Sequence, residues 1–215
     1  MQSGFNIERF RSIVMRNGVM RPSKFLVRIP TPIGMLGSQN SGAQREISRN
    51  LELFCDSAAL PGVSLSTWEH TRYGYGPFEK RPVRAGFTDI NLNFWADGNG
   101  AIRAFFQNWI GIINNFDARA GMDPARTTGL VRGIEMSTYE ESYKYEYMVD
   151  LEVIAFKDNG DPALKYIFRE AFPLFLGDNQ LDWGQQNAIM KIPVNFTFFD
   201  WYADNPSETD GIVTT

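Results

Sequence analysis

The sequence predicts a mainly β protein: a two-sheet antiparallel β-sandwich or barrel with one packed α-helix, a short N-terminal helix and a long hairpin arm. Three observations predict it. About seven or eight short runs alternate apolar with polar residues between turn signals, the spacing of sandwiches and barrels. Aromatic residues make up 14% of the chain, with 17 Phe, and aromatics favour strands. The most convincing helix, over 102–113, carries a broad apolar face suited to lying on a sheet. At 215 residues a single domain is expected over 1–202, followed by a flexible tail at 203–215.

Residues 6–17 form a short helix with Asn6 as N-cap and Ile7, Phe10 and Val14 on one face. A helix this short needs packing from elsewhere to persist, so Phe10 and Val14 are candidate subunit contacts. In Lys24–Ile29, Phe25, Val27 and Ile29 alternate with Lys24 and Arg28, the pattern of a half-buried strand. Residues 30–50 are rich in Pro, Gly, Ser and Asn and read as a long loop. Leu51–Ser57 resumes a strand. Leu60-Pro61-Gly62 breaks it: Pro61 presets φ for a turn, and Gly62 is free to take a positive φ.

Val63–Tyr75 and Phe78–Arg84, joined by Gly74-Tyr75-Gly76-Pro77, read as a long hairpin. Phe87–Ala96 alternates cleanly, with Ile90, Leu92, Phe94 and Ala96 on one side. Asp97-Gly98-Asn99-Gly100 then starts the main helix, in which Ile102, Phe105, Phe106, Trp109, Ile112 and Ile113 share a face. At about 2 kcal/mol per buried large side chain, this face is the main plug of the core.

Residues 115–140 read as a second long loop. Tyr143–Phe156 reads as a long strand. Tyr143, Tyr145, Tyr147, Val149, Leu151 and Val153 lie on one face, and Lys144, Glu146, Met148, Asp150 and Glu152 on the other. After the Asp158-Asn159-Gly160-Asp161 turn, Leu164–Phe168 returns, and Ala171–Gly177 continues irregularly past Pro173. Ile189–Phe199 is the last strand, with Met190, Ile192, Val194, Phe196 and Phe198 on one side.

Composition excludes several function classes. A net charge of −4 argues against a basic surface that neutralises phosphates. His70 and Cys55 are the chain's only histidine and cysteine. Together they cannot supply a zinc site, and Cys55 reads as a small buried hydrophobe. Gly74-Tyr75-Gly76 and Gly98-Asn99-Gly100 lack the spacing and βαβ context of phosphate-binding fingerprints. No enzyme, cofactor or metal is expected. The opening residues lack the long apolar core of a signal peptide, and no apolar run approaches the length of a membrane-spanning helix.

The hairpin is the unusual feature. It places Trp68, His70, Tyr73, Tyr75 and Phe78 beside Arg72 and Arg81. An arm both aromatic and charged suits neither a dry core nor a solvated face, but a surface that another subunit covers.

One ordered set of motifs runs through nearly the whole chain. Arg21-Pro22-Ser23-Lys24-Phe25-Leu26-Val27-Arg28-Ile29 follows the short helix. Phe54-Cys55 and Ala59-Leu60-Pro61-Gly62 precede the hairpin. A strand ending at Asp97 leads into the helix carrying Phe106 and Trp109. Ala171-Phe172-Pro173, Gln180-Leu181-Asp182-Trp183 and Asp200-Trp201-Tyr202 close the series. This order resembles the tail tube proteins of contractile-tailed bacteriophages (myoviruses).

The resemblance implies hexameric rings whose inner sheets join into a continuous barrel. Such rings stack inside a sheath, and DNA passes through the lumen without sequence-specific binding. It implies further partners in the sheath, baseplate and tail-terminator proteins, no membrane, and a place in the virion tail after synthesis in the host bacterial cytoplasm. Cys55, Leu60, Pro61, Gly62, Asp182 and Trp183 match motifs that are structural in the family. Glu146, Asp150 and Glu152 are the lumen candidates. The 30–50 and 115–140 loops are longer than a minimal tube subunit needs. A baseplate tube-initiator or adaptor of the same fold is therefore the alternative, together with the inner tube of a related contractile injection system.

Overall fold

The computed structural model describes residues 6–17, 20–36, 41–71, 74, 76–114, 141–179, 181–184 and 188–204. The 115–140 segment and the tail beyond 204 lie outside the described residues. Helix α1 spans Ile7–Asn17. Its first turn is capped as expected: the Asn6 carboxamide oxygen accepts the Glu8 and Arg9 backbone N–H groups at 2.9 and 3.3 Å.

Strand β1 is Phe25–Arg28. The stretch expected as a long loop at 30–50 instead contains a helical turn, α2 (Ile33–Leu36), and most of a 14-residue helix, α3 (Ser41–Phe54). Ile47, Leu51 and Phe54 stand at i, i+4 and i+7, a helical stripe that the polar residues around it disguised. Leu51 is fully buried, and Ser48, the one buried polar residue among the described residues, donates its hydroxyl to the Ile29 carbonyl. The strand expected from Leu51 therefore starts only at Cys55.

The remaining strands are β2 (Cys55–Ala59), β3 (Val63–His70), β4 (Glu79–Phe87), β5 (Ile90–Trp95), β6 (Val149–Phe156), β7 (Pro162–Leu176), β8 (Lys191–Thr197) and β9 (Asp200–Asp204). Hydrogen-bonded order is β1-β6-β7-β8-β5-β2, with β9 also on β7, and β3-β4 as a separate pair. All pairings are antiparallel. β7 is the strand shared by two sheets. Its first part pairs with β6 and β9, and Phe172–Leu176 pairs with β8.

The change of partner follows Glu170, which holds a left-handed φ of 54°, and a register shift follows at Pro173. A bend or bulge of this kind is how one strand turns the corner between sheets. The Asp150 carboxylate secures the corner by accepting the Glu170 N–H at 3.1 Å. β9 was not foreseen as a strand, and it carries order to Asp204, past the expected start of the tail at 203.

Helix α4 (Ala101–Ile113) plugs the core, as the spacing predicts: Ile102, Phe105, Phe106, Trp109 and Ile112 are buried. Phe106 meets Phe94 and Phe196, and Trp109 meets Phe196, with ring centroids 5.1–6.0 Å apart. Asp97 starts the helix, its carboxylate accepting the Ala101 and Ile102 N–H groups at 3.1 and 3.0 Å. Partial burial works to raise the Asp97 pKa, but these N–H groups outweigh it and hold the carboxyl below its ordinary range.

A depressed folded-state pKa contributes stability that is present above the unfolded value and lost as pH falls through the folded one. Asp97→Ala is expected to cost about 1 kcal/mol near neutral pH. The gap to wild type should narrow as the medium is acidified, read from unfolding curves across that range.

The long strand expected over Tyr143–Phe156 is shorter. Lys144–Tyr147 forms a helical turn, α5, and only Val149–Phe156 is strand. Three alternating tyrosines mimic a strand, but tertiary contacts override that propensity here. Tyr147 turns inward with its ring 5.2 Å from Phe172, and its carbonyl accepts the Trp109 indole N–H at 2.8 Å. Tyr143 and Tyr145 are left exposed, stacked on each other at 5.9 Å.

Candidate functional site: assembly surfaces

β2–β5 and β3–β4 are two halves of one long hairpin. Its kink lies at Leu60-Pro61-Gly62 and Thr88-Asp89. Gly62 does not use the positive φ open to a glycine, since the left-handed glycines among the described residues are Gly74, Gly76, Gly100 and Gly160. Instead its N–H donates to the Thr88 hydroxyl at 3.0 Å, and its carbonyl accepts the Thr88 N–H at 3.4 Å. Leu60-Pro61-Gly62 is thus a kink inside one strand, not a chain reversal.

Beyond the kink, β3 and β4 leave the body, and nearly every residue of the pair is exposed. The arm is rooted where the Phe87 ring meets Phe198 and Trp201 at 6.2 and 6.4 Å. A two-stranded ribbon by itself is marginal in water.

The predicted interface residues divide as follows. Trp68 and His70 share one face of β3, their rings 5.3 Å apart. Arg81 and Glu79 face them across the ladder and form an ion pair at 3.2 Å. The bond from Arg81 pulls the Glu79 pKa down. Phe78 is exposed at the arm's end. Arg72, Tyr73 and Tyr75 lie outside the described residues. On α1, Phe10 is exposed and Val14 half-buried.

The opposite face of the arm was missed. Val63 pairs with Phe87 and Leu65 with Ala85, while Val83 is extruded at a bulge between the two strands. Val63, Leu65, Val83 and Phe87 are all exposed. Val63 and Leu65 alternate with Ser64 and Ser66, so the period was readable. What the sequence did not reveal was that, beyond the root at Phe87, Val63, Leu65 and Val83 on that arm stay exposed.

The lumen candidates do not form one strip. Asp150 and Glu152 share the outer face of β6, whereas Glu146 sits half-buried on α5. Glu152 is paired with Lys165 at 2.8 Å and Arg28 at 3.4 Å, and Arg28 also reaches Glu52. A second face, on β2, β5 and β8, carries Asn91, Asn93 and Asn195 beside Ser57, Trp95 and Lys191. Asn93 donates to the Ser57 hydroxyl at 2.8 Å, and Asn195 to the Asn91 carboxamide at 3.0 Å.

Asp182 accepts the Gly184 N–H at 2.9 Å and so shapes its own turn, while the neighbouring Trp183 ring is fully exposed. Cys55 is half-buried. Burial, then the Asp56 carboxylate beside it, push its thiol up to about 12. It is therefore expected to react with iodoacetamide in the native protein far more slowly than in urea, as mass spectrometry over time would show.

Among the described residues no cluster of His, Cys, Asp and Glu could hold a metal ion. No helix there is long and apolar enough to cross a membrane. A sequence profile of the family described as "Phage tail tube protein" matches residues 20–204. The chain belongs to that family. Family membership makes this tail tube protein a structural protein and not an enzyme.

Solved structures show the same fold. A chain in the sheath–tube complex of an extracellular contractile injection system, PVC, aligns at a TM-score of 0.55 and 14% identity, covering 90% of this chain and 97% of that one. A chain in the PVC sheath/tube terminator structure aligns at 0.52 and 16%, covering 86% and 96%. A chain in the anti-feeding prophage baseplate aligns at 0.52 and 12%, covering 88% and 97%. No curated protein matches.

Proposed function

We propose that this chain is the repeating subunit of a phage contractile-tail inner tube, assembling as stacked hexameric rings that conduct DNA inside a sheath. The observation that carries this reading is the arm. A ribbon with Val63, Leu65 and Phe87 on one face and Trp68 and His70 on the other, exposed along nearly all its length, has no use within one subunit. Another copy covers it. In the PVC and anti-feeding prophage structures the similar chains belong to sheath–tube, terminator and baseplate assemblies. Sheath, baseplate and terminator are the partners proposed here by analogy.

For the lumen, the reading puts the face carrying Asn91, Asn93 and Asn195 on the wall. Uncharged polar groups give DNA nothing to hold by its phosphates, whereas Glu152 is already engaged with two cations.

Negative-stain microscopy of the purified protein is expected to show rings or tubes with a central channel. A strictly monomeric chain at high concentration would overturn the reading. One or two rings' worth of copies per virion, rather than many, would make it the baseplate initiator of the same fold.

A further inference from the structure

The arm and an open cleft lie at opposite ends of the same strands. Next to the kink, Ile90 of β5 pairs with Phe196 of β8. At the other end of β5, Trp95 pairs with Lys191, and the Ala96 N–H donates to the Met190 carbonyl at 2.9 Å. The six residues of β5 separate these ends by about 20 Å. At the Trp95 end, Leu181, Trp183, Ile189 and Met190 are among the residues that line the cleft. Leu181 and Trp183 are 88% and 102% exposed.

Charge does not decide what enters this cleft. Asp178 and Asp182 stand on its rim, but Lys191 is there too, paired with Asp56 at 2.6 Å. The Arg103 guanidinium also reaches it, donating to the lining residue Asn179 and to the Gly177 carbonyl. With both signs present, the distinguishing surface is apolar. The root half of the arm matches it: Val63, Leu65 and Val83 are exposed there. Arg84, opposite Ser66, lies on the other face from Leu65. Farther out, Lys80 and Arg81 are paired with Glu69 and Glu79.

We infer that the root half of one copy's arm seats in the cleft of the next copy, with Val63 and Leu65 against Leu181 and Trp183. The inference rests on the tube reading and deepens it by naming what receives the arm. Placement selects a second copy as the occupant. The arm continues the β2–β5 hairpin past its kink, so a displacement along the strands brings the arm end of one copy to the cleft end of another in the same orientation. β3 has eight residues, about 26 Å of chain. Its first residues therefore meet the near edge of the next copy, where the cleft opens, and Trp68 and Phe78 reach farther along it.

Size agrees with repetition. A two-stranded ribbon about 26 Å long and 10 Å wide buries on the order of 500 Å² over both faces, below the roughly 800 Å² per partner of a stable pair. One such contact is weak, and it holds when many copies repeat it. The two surfaces differ, so the contact is heterologous and propagates in one direction.

The test mixes two defective full-length chains. The arm variant is Leu65→Asp. The cleft variant combines Leu181→Asp with Trp183→Ser, both at exposed positions, with the fold checked by circular dichroism. Neither is expected to form tubes alone. Mixed in equal amounts, the intact arm of the cleft variant fits the intact cleft of the arm variant, and growth then stops. Sedimentation velocity is expected to show a species of about twice the mass of either variant alone. Independently, Leu65→Cys combined with Trp183→Cys, treated with a short bismaleimide, is expected to give a ladder of covalent oligomers that neither single variant gives.

Tubes of ordinary length from the cleft variant, or a mixture that sediments like its components, overturn the inference and leave the tube reading intact as long as the wild type assembles. A cross-link confined to single chains also overturns it, because the arm then lies on its own cleft. A wild-type chain that neither assembles nor gives the ladder in its double-cysteine form overturns both.

Discussion

Trp109→Ala lowers the stability of the isolated subunit by about 3–5 kcal/mol, the largest loss expected from any single core truncation here. The ring is fully buried, packed edge-on to Phe105 at 5.9 Å and Phe196 at 5.7 Å. It also donates the hydrogen bond that pins the α5 turn through the Tyr147 carbonyl. Truncation opens a cavity between α4 and the sheet and leaves that carbonyl unpaired. For a chain of this length the thermal midpoint falls by on the order of 10 °C.

Trp109→Phe separates the two contributions. It keeps most of the packing and forfeits the hydrogen bond, for about 1–3 kcal/mol. Urea unfolding at a concentration too low for assembly provides the measurement, since association would stabilise the native state by mass action. A loss under about 1 kcal/mol for the alanine variant would show that α4 does not plug the core.

Leu65→Asp has the opposite profile: assembly is abolished and the subunit's own stability stays within about 0.5 kcal/mol. Leu65 is 62% exposed on the apolar face of the arm. Replacing it therefore removes little burial within the chain. Inside an interface the new carboxylate would be desolvated without a partner, a penalty of several kcal/mol per contact, repeated at every copy. Trp68→Ala, on the other face, removes an aromatic anchor and is expected to weaken assembly by about 2 kcal/mol per contact. Sedimentation velocity and negative-stain microscopy read both. Tubes of ordinary length from Leu65→Asp would show that this face is not covered by another copy.

Much of this was legible because the pattern had length. The stripe of α4 repeats over three turns, and Ile90, Leu92 and Phe94 or Ile192, Val194 and Phe196 alternate without interruption, so period and burial agree. Helix α3 was hidden because Ile47, Leu51 and Phe54 form a narrow stripe among Arg, Gln, Glu, Asn and Ser, with Leu53 off that stripe and exposed. At that density a narrow stripe looks like a loop. Tyr143–Tyr147 failed in the other direction, since alternation over five residues fits a strand as well as an exposed turn.

By itself the sequence determined the mainly β class, the plug helix, the arm and the tail tube resemblance. Each rests on local spacing or on the order of motifs, which need no knowledge of neighbours. Only the tertiary structure decided that β7 joins two sheets through a kink at Glu170, that Glu152 spends its charge on Lys165 and Arg28, and that the Val63–Leu65 face and Trp183 have no cover of their own. Exposure and pairing are properties of what lies opposite a residue, and what lies opposite is set by contacts between segments far apart in the chain.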